Sequence, residues 1–466
     1  MKITAPAGAL ARALAFVSHA AARLATTQPI LASALFEADK ELGVLAIGAT
    51  DTELTARLSS SAPDIQEGGR AALPCRMFHD IVKALDAEAT VHLEASDKQA
   101  ALATQDGKNT YSLRLMAAEN FPELAEFPDQ DGSSFTLEAA RLAEAIASVV
   151  PTASTDNTRP VLTGVLLAFG SDGATLVATD SYRMAVYSGK LEGAPTEGRA
   201  IIPAKALREV ARLCSMGPER IEVAITQSAA MFRVGSSASG VMLATRLIAG
   251  QFPDHKKLMP AGAIFAKEYA ADAGAMAGAL GRVSLFARRS SGPTVPITLS
   301  FSGDQQEATL EGTASARISA VSDEIGSGAE SVPVENFRES ANEPDGTKDS
   351  QDDGMEISMN PEYLIQAVKT CHGAGASENG GSNKVLFCLN DPLKPAVVRP
   401  EGESPIMVMI MPMRNPKAKE KVPANSQGKR KHADNAEPSA PPEEPEDSEP
   451  EAEKVGAGVA SEANDQ

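Results

Sequence analysis

Residues 49–54 read ATDTEL and residues 178–183 read ATDSYR, an interval of 129 residues. Three more pairs of similar stretches keep nearly the same interval. They are PILASALF and PVLTGVLL, starting at Pro29 and Pro160; LPCRMF and IPAKAL, with prolines at 74 and 203; and NFPEL and QFPDH, with prolines at 122 and 253. A repeat of this length is too long for a solenoid module and has the size of a domain. The sequence therefore predicts tandem copies of one fold.

An apolar stripe at the start of each unit predicts an amphipathic helix and extends the repeat to a third copy. Residues at i, i+4 and i+7 are apolar in three places: Leu10, Leu14 and Val17; Leu142, Ile146 and Val149; and Met276, Leu280 and Val283. In the third unit, Pro361 starts a second helix, as Pro74 and Pro203 do in the other units, and Pro412 matches the closing proline. Extra length in this unit coincides with an acidic stretch.

The fold class that follows is α+β, with two helices packed on β-sheet in each of three tandem copies. The predicted domains are residues 1–128, 129–260 and 261–415. The third contains an acidic insertion at about 327–354 that we expect to be disordered, because it has few apolar residues. A tail at 416–466, basic and then acidic, is also expected to be disordered.

The net charge of −19 is concentrated in a few places. Residues 323–356 contribute −9 and residues 416–466 contribute −5, which leaves −5 for the rest of the chain. A strongly acidic total therefore does not exclude a polyanionic partner for the folded part. The four cysteines are scattered, which predicts reduced thiols rather than disulfides or a zinc site. No apolar run is long enough for a membrane span, and the N-terminus lacks secretory features, so we expect a cytoplasmic protein without membrane contact.

Sequence signals of catalysis are missing. The chain has no GxxxxGK[ST] phosphate loop, no HExxH and no GxSxG elbow. We therefore predict no catalytic residues, no metal ligands and no cofactor.

The motifs TRPVLTGVLL, ATDSYRMA, IIPAKAL, LIAGQFPDHKKLMP, NPEYLIQAVK, DPLKPAVVRP and MVMIMPMR resemble those of the beta sliding clamps of bacterial DNA polymerase III. The resemblance runs from Met1 to about Arg414, and family members usually end near that point. It implies a non-catalytic processivity factor of the polymerase holoenzyme. Two chains would form a head-to-tail homodimer, a ring of six domains that encloses double-stranded DNA without reading its sequence. The implied partners are the replicative polymerase, the clamp loader and other proteins with a clamp-binding motif.

Three sets of residues are candidates for these contacts. For DNA, we expect bases on the helices that would line the ring: Arg23, Arg76, Lys83, Lys205, Arg208 and Arg212. For partner peptides, the family's cleft positions fall on Leu162, Thr179, Ser181, Tyr182, Arg183, Met184, Pro253, Lys257, Leu258, Leu393, Pro395, Met409, Met411, Pro412, Met413 and Arg414. For the dimer interface, the family's apolar contacts fall on Tyr111, Leu113, Leu285 and Phe286.

Each set has a simpler interpretation. Charges on the polar face of an amphipathic helix can serve only to solvate it, and the apolar residues of the cleft and the interface can be ordinary core. A different function is also open: a clamp paralogue that acts as a protein-interaction scaffold and loads poorly onto DNA. The insertion and the tail, which the family motifs do not cover, would be the reason for such a role.

Overall fold

The computed structural model describes residues 1–23, 28–96, 98–128, 134–258, 265–287, 294–302, 314–339, 355–375 and 382–414. All of them belong to one compact unit, Met1–Asn415. The predicted tail at 416–466 lies outside the described residues.

The same order of strands and helices occurs three times, with one additional short strand in the first repeat. The first repeat consists of β1 (Lys2–Pro6), α1 (Ala7–Val17), β2 (Ser33–Asp39), β3 (Val44–Thr50), β4 (Leu54–Ser60), β5 (Asp64–Glu67), β6 (Gly69–Pro74), α2 (Cys75–Ala84), β7 (Thr90–Ala95), β8 (Gln99–Thr104) and β9 (Thr110–Arg114). The second consists of β10 (Ser134–Glu138), α3 (Ala139–Val149), β11 (Gly164–Gly170), β12 (Gly173–Thr179), β13 (Arg183–Gly189), β14 (Gly198–Pro203), α4 (Ala204–Cys214), β15 (Arg220–Ile225), β16 (Ala229–Gly235) and β17 (Gly240–Arg246).

A short helix α5 (His255–Leu258) precedes the third repeat. That repeat consists of β18 (Lys267–Asp272), α6 (Ala273–Ala287), β19 (Ile297–Ser302), β20 (Ser315–Ser322), β21 (Gly326–Glu339), β22 (Met355–Met359), α7 (Pro361–Gly375), β23 (Lys384–Leu389), β24 (Ala396–Pro400) and β25 (Ile406–Ile410). The α+β prediction with three copies of one fold is confirmed.

The helices pack in pairs, α1 with α2, α3 with α4 and α6 with α7, and each pair covers strands of its own repeat. The apolar stripes predicted from the sequence form these contacts. Five of the nine stripe residues are fully buried, and the other four are 1–3% exposed. Burying an aliphatic side chain of this size stabilises the folded state by about 1.5–3 kcal/mol. The stripes therefore fix which face of each helix meets the sheet.

Antiparallel strand pairs join the repeats. Between the first and second repeats, β4 pairs with β17, from Leu54 opposite Thr245 to Ser59 opposite Gly240. Between the second and third, β13 pairs with β25, from Arg183 opposite Ile410 to Tyr187 opposite Ile406. We call these pairings the first joint and the second joint. Each makes a continuous sheet that runs from one repeat into the next, of eight and twelve strands respectively.

The prediction of a disordered insertion is wrong for its first part. Residues 326–339 form β21, which pairs with β20 up to Pro333 and with β18 from Val334 onward. Val332 and Val334 are buried, while Glu330 and Glu335 point outward to Arg282 and Lys384. Average composition concealed this alternation, because every second residue of a strand can be charged when one face is solvated. Residues 340–354 lie outside the described residues.

The four cysteines are free and buried, as the sequence predicts. Burial raises the pKa of Cys75 and Cys371 to about 12 and the pKa of Cys214 and Cys388 to about 11. A thiol with such a pKa has almost no thiolate at neutral pH. Among the described helices, none is both long and apolar enough to cross a membrane.

We expect the native protein to resist thiol reagents. At pH 8, 5,5′-dithiobis(2-nitrobenzoic acid) should label all four cysteines rapidly in 6 M guanidinium chloride but only slowly without denaturant, at the rate of local opening. The change in absorbance at 412 nm measures both rates. A cysteine that reacts in native protein as fast as free glutathione would contradict the burial of all four thiols.

Candidate functional site

A tight turn between β12 and β13 presents one exposed aromatic residue. Oδ1 of Asp180 accepts hydrogen bonds from the backbone N–H groups of Tyr182 and Arg183, at 2.9 and 3.0 Å. The hydroxyl of Thr179 donates to the carbonyl of Arg183 at 2.7 Å, and Ser181 takes a left-handed φ of 78°. That conformation is rare for a residue with a Cβ, and the surrounding bonds hold it in place. The side chain of Tyr182 is left 65% exposed.

Arg183 links this turn to the third repeat. Its Nε donates to Asp180 at 2.9 Å and its Nη2 to the carbonyl of Pro151 at 2.9 Å. Its guanidinium lies 4.2 Å from the ring centroid of Tyr363 on α7, and it also bonds the side chain of Gln366. Burial and the charge of Asp180 raise the pKa of Tyr363, so the phenol is neutral at physiological pH. The planar guanidinium thus connects two repeats by hydrogen bonds and stacking.

The chain that follows β25 lies beside the same turn. The N–H of Met411 donates to the carbonyl of Tyr182 at 2.9 Å, which extends the β13–β25 pairing by one residue. The N–H of Met413 donates to the carbonyl of Ser358 at 2.7 Å. Residues 411–414 are therefore held against the second joint. Pro412 and Met413 are half-buried, and Arg414 is exposed.

The predicted cleft residues divide into a buried set, the floor of the predicted cleft, and an exposed set, its predicted rim. Leu162, Thr179, Met184 and Met409 are at most 8% exposed, and Met184 and Met409 share a core cluster with Phe252. The rim consists of large apolar side chains that are 40–78% exposed, namely Tyr182, Leu258, Leu393 and Met411. Pro253 and Lys257 are exposed, with Lys257 3.4 Å from Asp254, and Pro395 is half-buried. Exposed apolar side chains of this kind are suited to contacts with apolar groups of a ligand.

Sequence reasoning missed three residues beside this cleft. A pocket of about 530 Å³ is lined by Leu162, Ser181, Tyr182 and Arg183, and also by Arg159, Asp180 and Tyr363. Asp180 belongs to the motif ATDSYR and Tyr363 to the motif NPEYLIQAVK, so the motifs that indicate the family contain both residues. The sequence does not show that α7 contacts the turn, because this contact depends on the second joint.

The basic residues predicted to contact DNA differ in their surroundings. Arg76, Lys83 and Arg208 are exposed on α2 and α4 and make no ion pair with any described residue. Lys205 pairs with Asp51 across the first joint, and Nη1 of Arg212 lies 2.7 Å from Nε2 of His19.

The placement of Arg23 on a helix is wrong. Helix α1 ends at Val17, and the next residues fold back, with Ala20–Ala22 buried and the N–H of Ala22 bonded to the carbonyl of Leu31. Arg23 is exposed in that segment.

The four predicted interface residues are only partly at the surface. Leu113 on β9 is 6% exposed and belongs to the core of its own repeat, and Tyr111 is half-buried beside it. On α6, Leu285 is 53% exposed, and the half-buried Phe286 packs against Gly328. The interpretation of these residues as intradomain core therefore holds for Leu113. Within the part of the chain that the structure describes, no group of His, Cys, Asp and Glu is arranged to hold a metal ion.

Comparisons with known proteins agree with this geometry. A family model for the N-terminal domain of the DNA polymerase III beta subunit matches residues 1–125, and one for its central domain matches residues 136–254. A beta sliding clamp of Synechococcus elongatus is 28% identical over 418 residues, which is 89% of this chain and 99% of the relative. One from Staphylococcus aureus is 29% identical over 84% of this chain and 93% of the relative.

Solved structures show the same fold. The DNA polymerase sliding clamp of Bacillus subtilis aligns with a TM-score of 0.73 and 23% identity over 89% of this chain and 99% of its own. A sliding clamp from Bartonella birtlesii bound to griselimycin aligns equally well over 89% of this chain and 100% of its own. The two family models together cover more than half of the sequence, across both repeats that form the first joint. The chain therefore belongs to the DNA polymerase III beta-subunit family, the sliding clamps of bacterial DNA replication.

Proposed function

We propose that two copies of this chain close into a ring around double-stranded DNA and tether the replicative polymerase to it, after loading by a clamp loader. Each chain would contribute domains 1–128, 129–260 and 261–415. The observation that carries the proposal is that two strands, β9 and β21, each have an edge that pairs with no other described strand. In both joints, the strand after the tight turn of one repeat (β4 or β13) pairs with the last strand of the next repeat (β17 or β25). By the same rule, β21, which follows the equivalent turn of the third repeat, would pair with β9, the last strand of a first repeat. We call this pairing the third joint.

Both strands have a free edge among the described residues. β9 is the outer strand of its sheet and pairs only with β8, and β21 pairs with β20 over its first eight residues and with β18 only beyond Pro333. Unpaired strand edges are templates for pairing with another chain. We infer that a second copy supplies the neighbouring strand for each of these two edges. Two such joints give a closed head-to-tail dimer.

Side chains near the two edges support this joint. Leu285, Val321 and Ile325, around the β20–β21 turn, are 50–53% exposed, an unusual density of exposed aliphatic residues. By analogy with the existing joints, the end of β9 would lie opposite the start of β21. Arg114 at the end of β9 would then face Glu324, which precedes β21. The half-buried Tyr111 on β9 would extend the apolar contact.

The dimer can be tested by placing charges at this edge. We expect Leu285→Glu with Ile325→Glu to raise the dimer dissociation constant at least about a hundredfold, because an interface charge loses its hydration without gaining a partner. Sedimentation velocity over a range of concentrations measures the constant. The control is Leu42→Glu, which lies 75% exposed in the β2–β3 turn, far in sequence from both edges. A wild-type monomer, or a double variant that dimerises normally, would exclude the third joint.

The helices provide a surface suited to DNA although the chain is acidic. The six helices of the three repeats carry nine Lys or Arg residues and four Asp or Glu residues. Lys and Arg attract phosphates without sequence preference by releasing counterions. Because the bases are spread over all three helix pairs, the attraction has no single strong site, which is compatible with sliding.

Topological linkage distinguishes the ring from the scaffold alternative. Loaded onto a nicked circular plasmid, the protein should stay bound in 0.5 M NaCl, and it should leave when a restriction enzyme linearises the circle. Gel filtration of labelled protein with plasmid measures retention.

We expect Arg76→Ala, Lys83→Ala and Arg208→Ala together to reduce loading severalfold, whereas Lys40→Ala, Lys190→Ala and Lys394→Ala, at exposed turns, should not. Retention that is unaffected by linearisation would favour the scaffold.

We also propose that the cleft at the second joint binds the peptide motifs of clamp partners and that griselimycin, bound in a related structure, occupies it. Replacing the rim residues by Tyr182→Ala with Met411→Ala should weaken griselimycin binding at least about 30-fold, because two apolar anchors are lost and each contributes about 1–3 kcal/mol. Isothermal titration calorimetry measures the affinity. Met216→Ala, 64% exposed on another surface, is the control. Equal affinity for the double variant and the wild type would remove the cleft from this role.

A further inference from the structure

The first joint contains a large groove that the proposed function does not use. Its volume is about 1080 Å³. Its walls are the turn between β3 and β4, the segment 122–126, the turn between β15 and β16, the end of β17 with the residues that follow it, and part of β14. We call it the first-joint groove.

These walls are the repeat equivalents of the cleft at the second joint. The turn at Thr50–Leu54 has the same bonds as the turn at Thr179–Arg183. Asp51 accepts from the N–H groups of Glu53 and Leu54, Thr50 donates to the carbonyl of Leu54, and Thr52 has a φ of 77°. The N–H of Arg246 donates to the carbonyl of Glu53 at 3.0 Å, as the N–H of Met411 does to the carbonyl of Tyr182. Both joints therefore build the same backbone concavity.

The side chains on this common backbone are different. Where the cleft has the exposed pair Tyr182 and Met411, the groove has the exposed pair Glu53 and Arg246. Where the turn between β23 and β24 offers Leu393, the turn between β15 and β16 offers the exposed Gln227. The rim of the cleft is therefore apolar, whereas the rim of the groove carries one acid and one base.

The groove keeps an apolar floor. Leu247 and Ile248 are half-buried in its wall, and their N–H groups bond to Ser228 and to Ile201. On the other side, Leu124 is buried against Gly48, where there is no room for a Cβ, so the segment 122–126 is fixed in the sheet surface. The groove is thus preformed by ordered chain, which lowers the entropic cost of binding a ligand.

Three of the charged side chains in the groove make no ion pair within the described part of the chain. Glu53 and Glu123 come from the first repeat, and Arg246 from the second, and none of them makes an ion pair with a described residue. A backbone hydrogen bond joins Arg246 to Glu53, but their side chains form no ion pair with each other. A surface that holds opposite charges apart at the edge of an apolar floor matches a ligand with both charges and an apolar group between or beside them.

We propose that the first-joint groove binds an extended peptide segment of a partner protein, with one basic residue, one acidic residue and an apolar anchor. The basic residue would contact Glu53 and Glu123, the acidic residue would contact Arg246, and the anchor would lie on Leu247 and Ile248. The inference rests on the proposed peptide-binding role of the equivalent cleft. It gives one ring two classes of peptide site, which select partners by different chemistry.

A peptide panel tests this site on the full-length protein. The probes are fluorescein-labelled alanine heptapeptides in which one leucine, one glutamate and one lysine occupy every combination of positions, with fluorescence anisotropy as the readout. We expect a subset with a preferred order of glutamate and lysine to bind more tightly than the all-alanine peptide. Glu53→Gln with Arg246→Gln should weaken that subset about tenfold, because the ion pairs that the peptide makes with both residues are lost.

Charge exchange supplies a readout that damage to the fold would not produce. Glu53→Lys and Glu123→Lys with Arg246→Glu should invert the preferred order of glutamate and lysine in the panel. Tyr182→Ala with Met411→Ala should leave panel binding unchanged. The proposal is overturned if no panel peptide exceeds the all-alanine peptide, if the order does not invert, or if only the Tyr182 and Met411 variant loses binding. Griselimycin binding, measured on the same samples, reports separately on the cleft.

Discussion

Main-chain pairing across the joints is the constraint on which the other features depend. In both joints, a strand that leaves a tight turn pairs with the last strand of the next repeat. The hydrogen bonds come from the backbone, so they fix the relative position of two repeats while leaving most side chains free to differ. The turn, the chain after the last strand and the connecting segment must then meet at one place. A concavity at every joint is therefore a product of the topology, and its ligand is chosen by a few exposed residues.

The distribution of charge follows from the same architecture. Each helix buries an apolar stripe on the sheet, and its opposite face is free to carry bases such as Arg76, Lys83 and Arg208. Most of the acids lie elsewhere, and residues such as Glu330 and Glu335 on β21 pair with nearby bases. Helical and sheet surfaces can therefore hold opposite excess charge within one acidic chain. Net charge describes such a protein poorly, because a phosphate chain near the helices responds to local charge within about 8 Å at physiological salt.

Much of the fold was predictable because its signals are local. The i, i+4, i+7 stripes and the recurring prolines mark helices, and these signals recur in three repeats, so each copy supports the others. What failed were inferences from averages or from family position alone. The average composition of residues 327–354 conceals the alternation of Val332 and Val334 with acids, so it does not predict β21. Arg23 was assigned to a helix that ends at Val17, and Leu113, expected at an interface, lies in the core of its own repeat. The contact of Tyr363 with Arg183 required the second joint, which spacing in the sequence does not encode.

Strand β4 has a consequence for how the chain is made. During synthesis the first repeat is complete before β17, which begins at Gly240, is translated, so β4 then lacks that neighbour. Through that interval an unpaired edge is open to nascent chains nearby. β4 ends in a run of Ser, and Arg57 on it forms ion pairs with Glu37 on β2 and Glu126 beyond β9. Charged groups on an open edge disfavour aggregation. By this principle, ion pairs that are minor surface contacts in the finished protein would also shield the edge of β4 before the second repeat covers it.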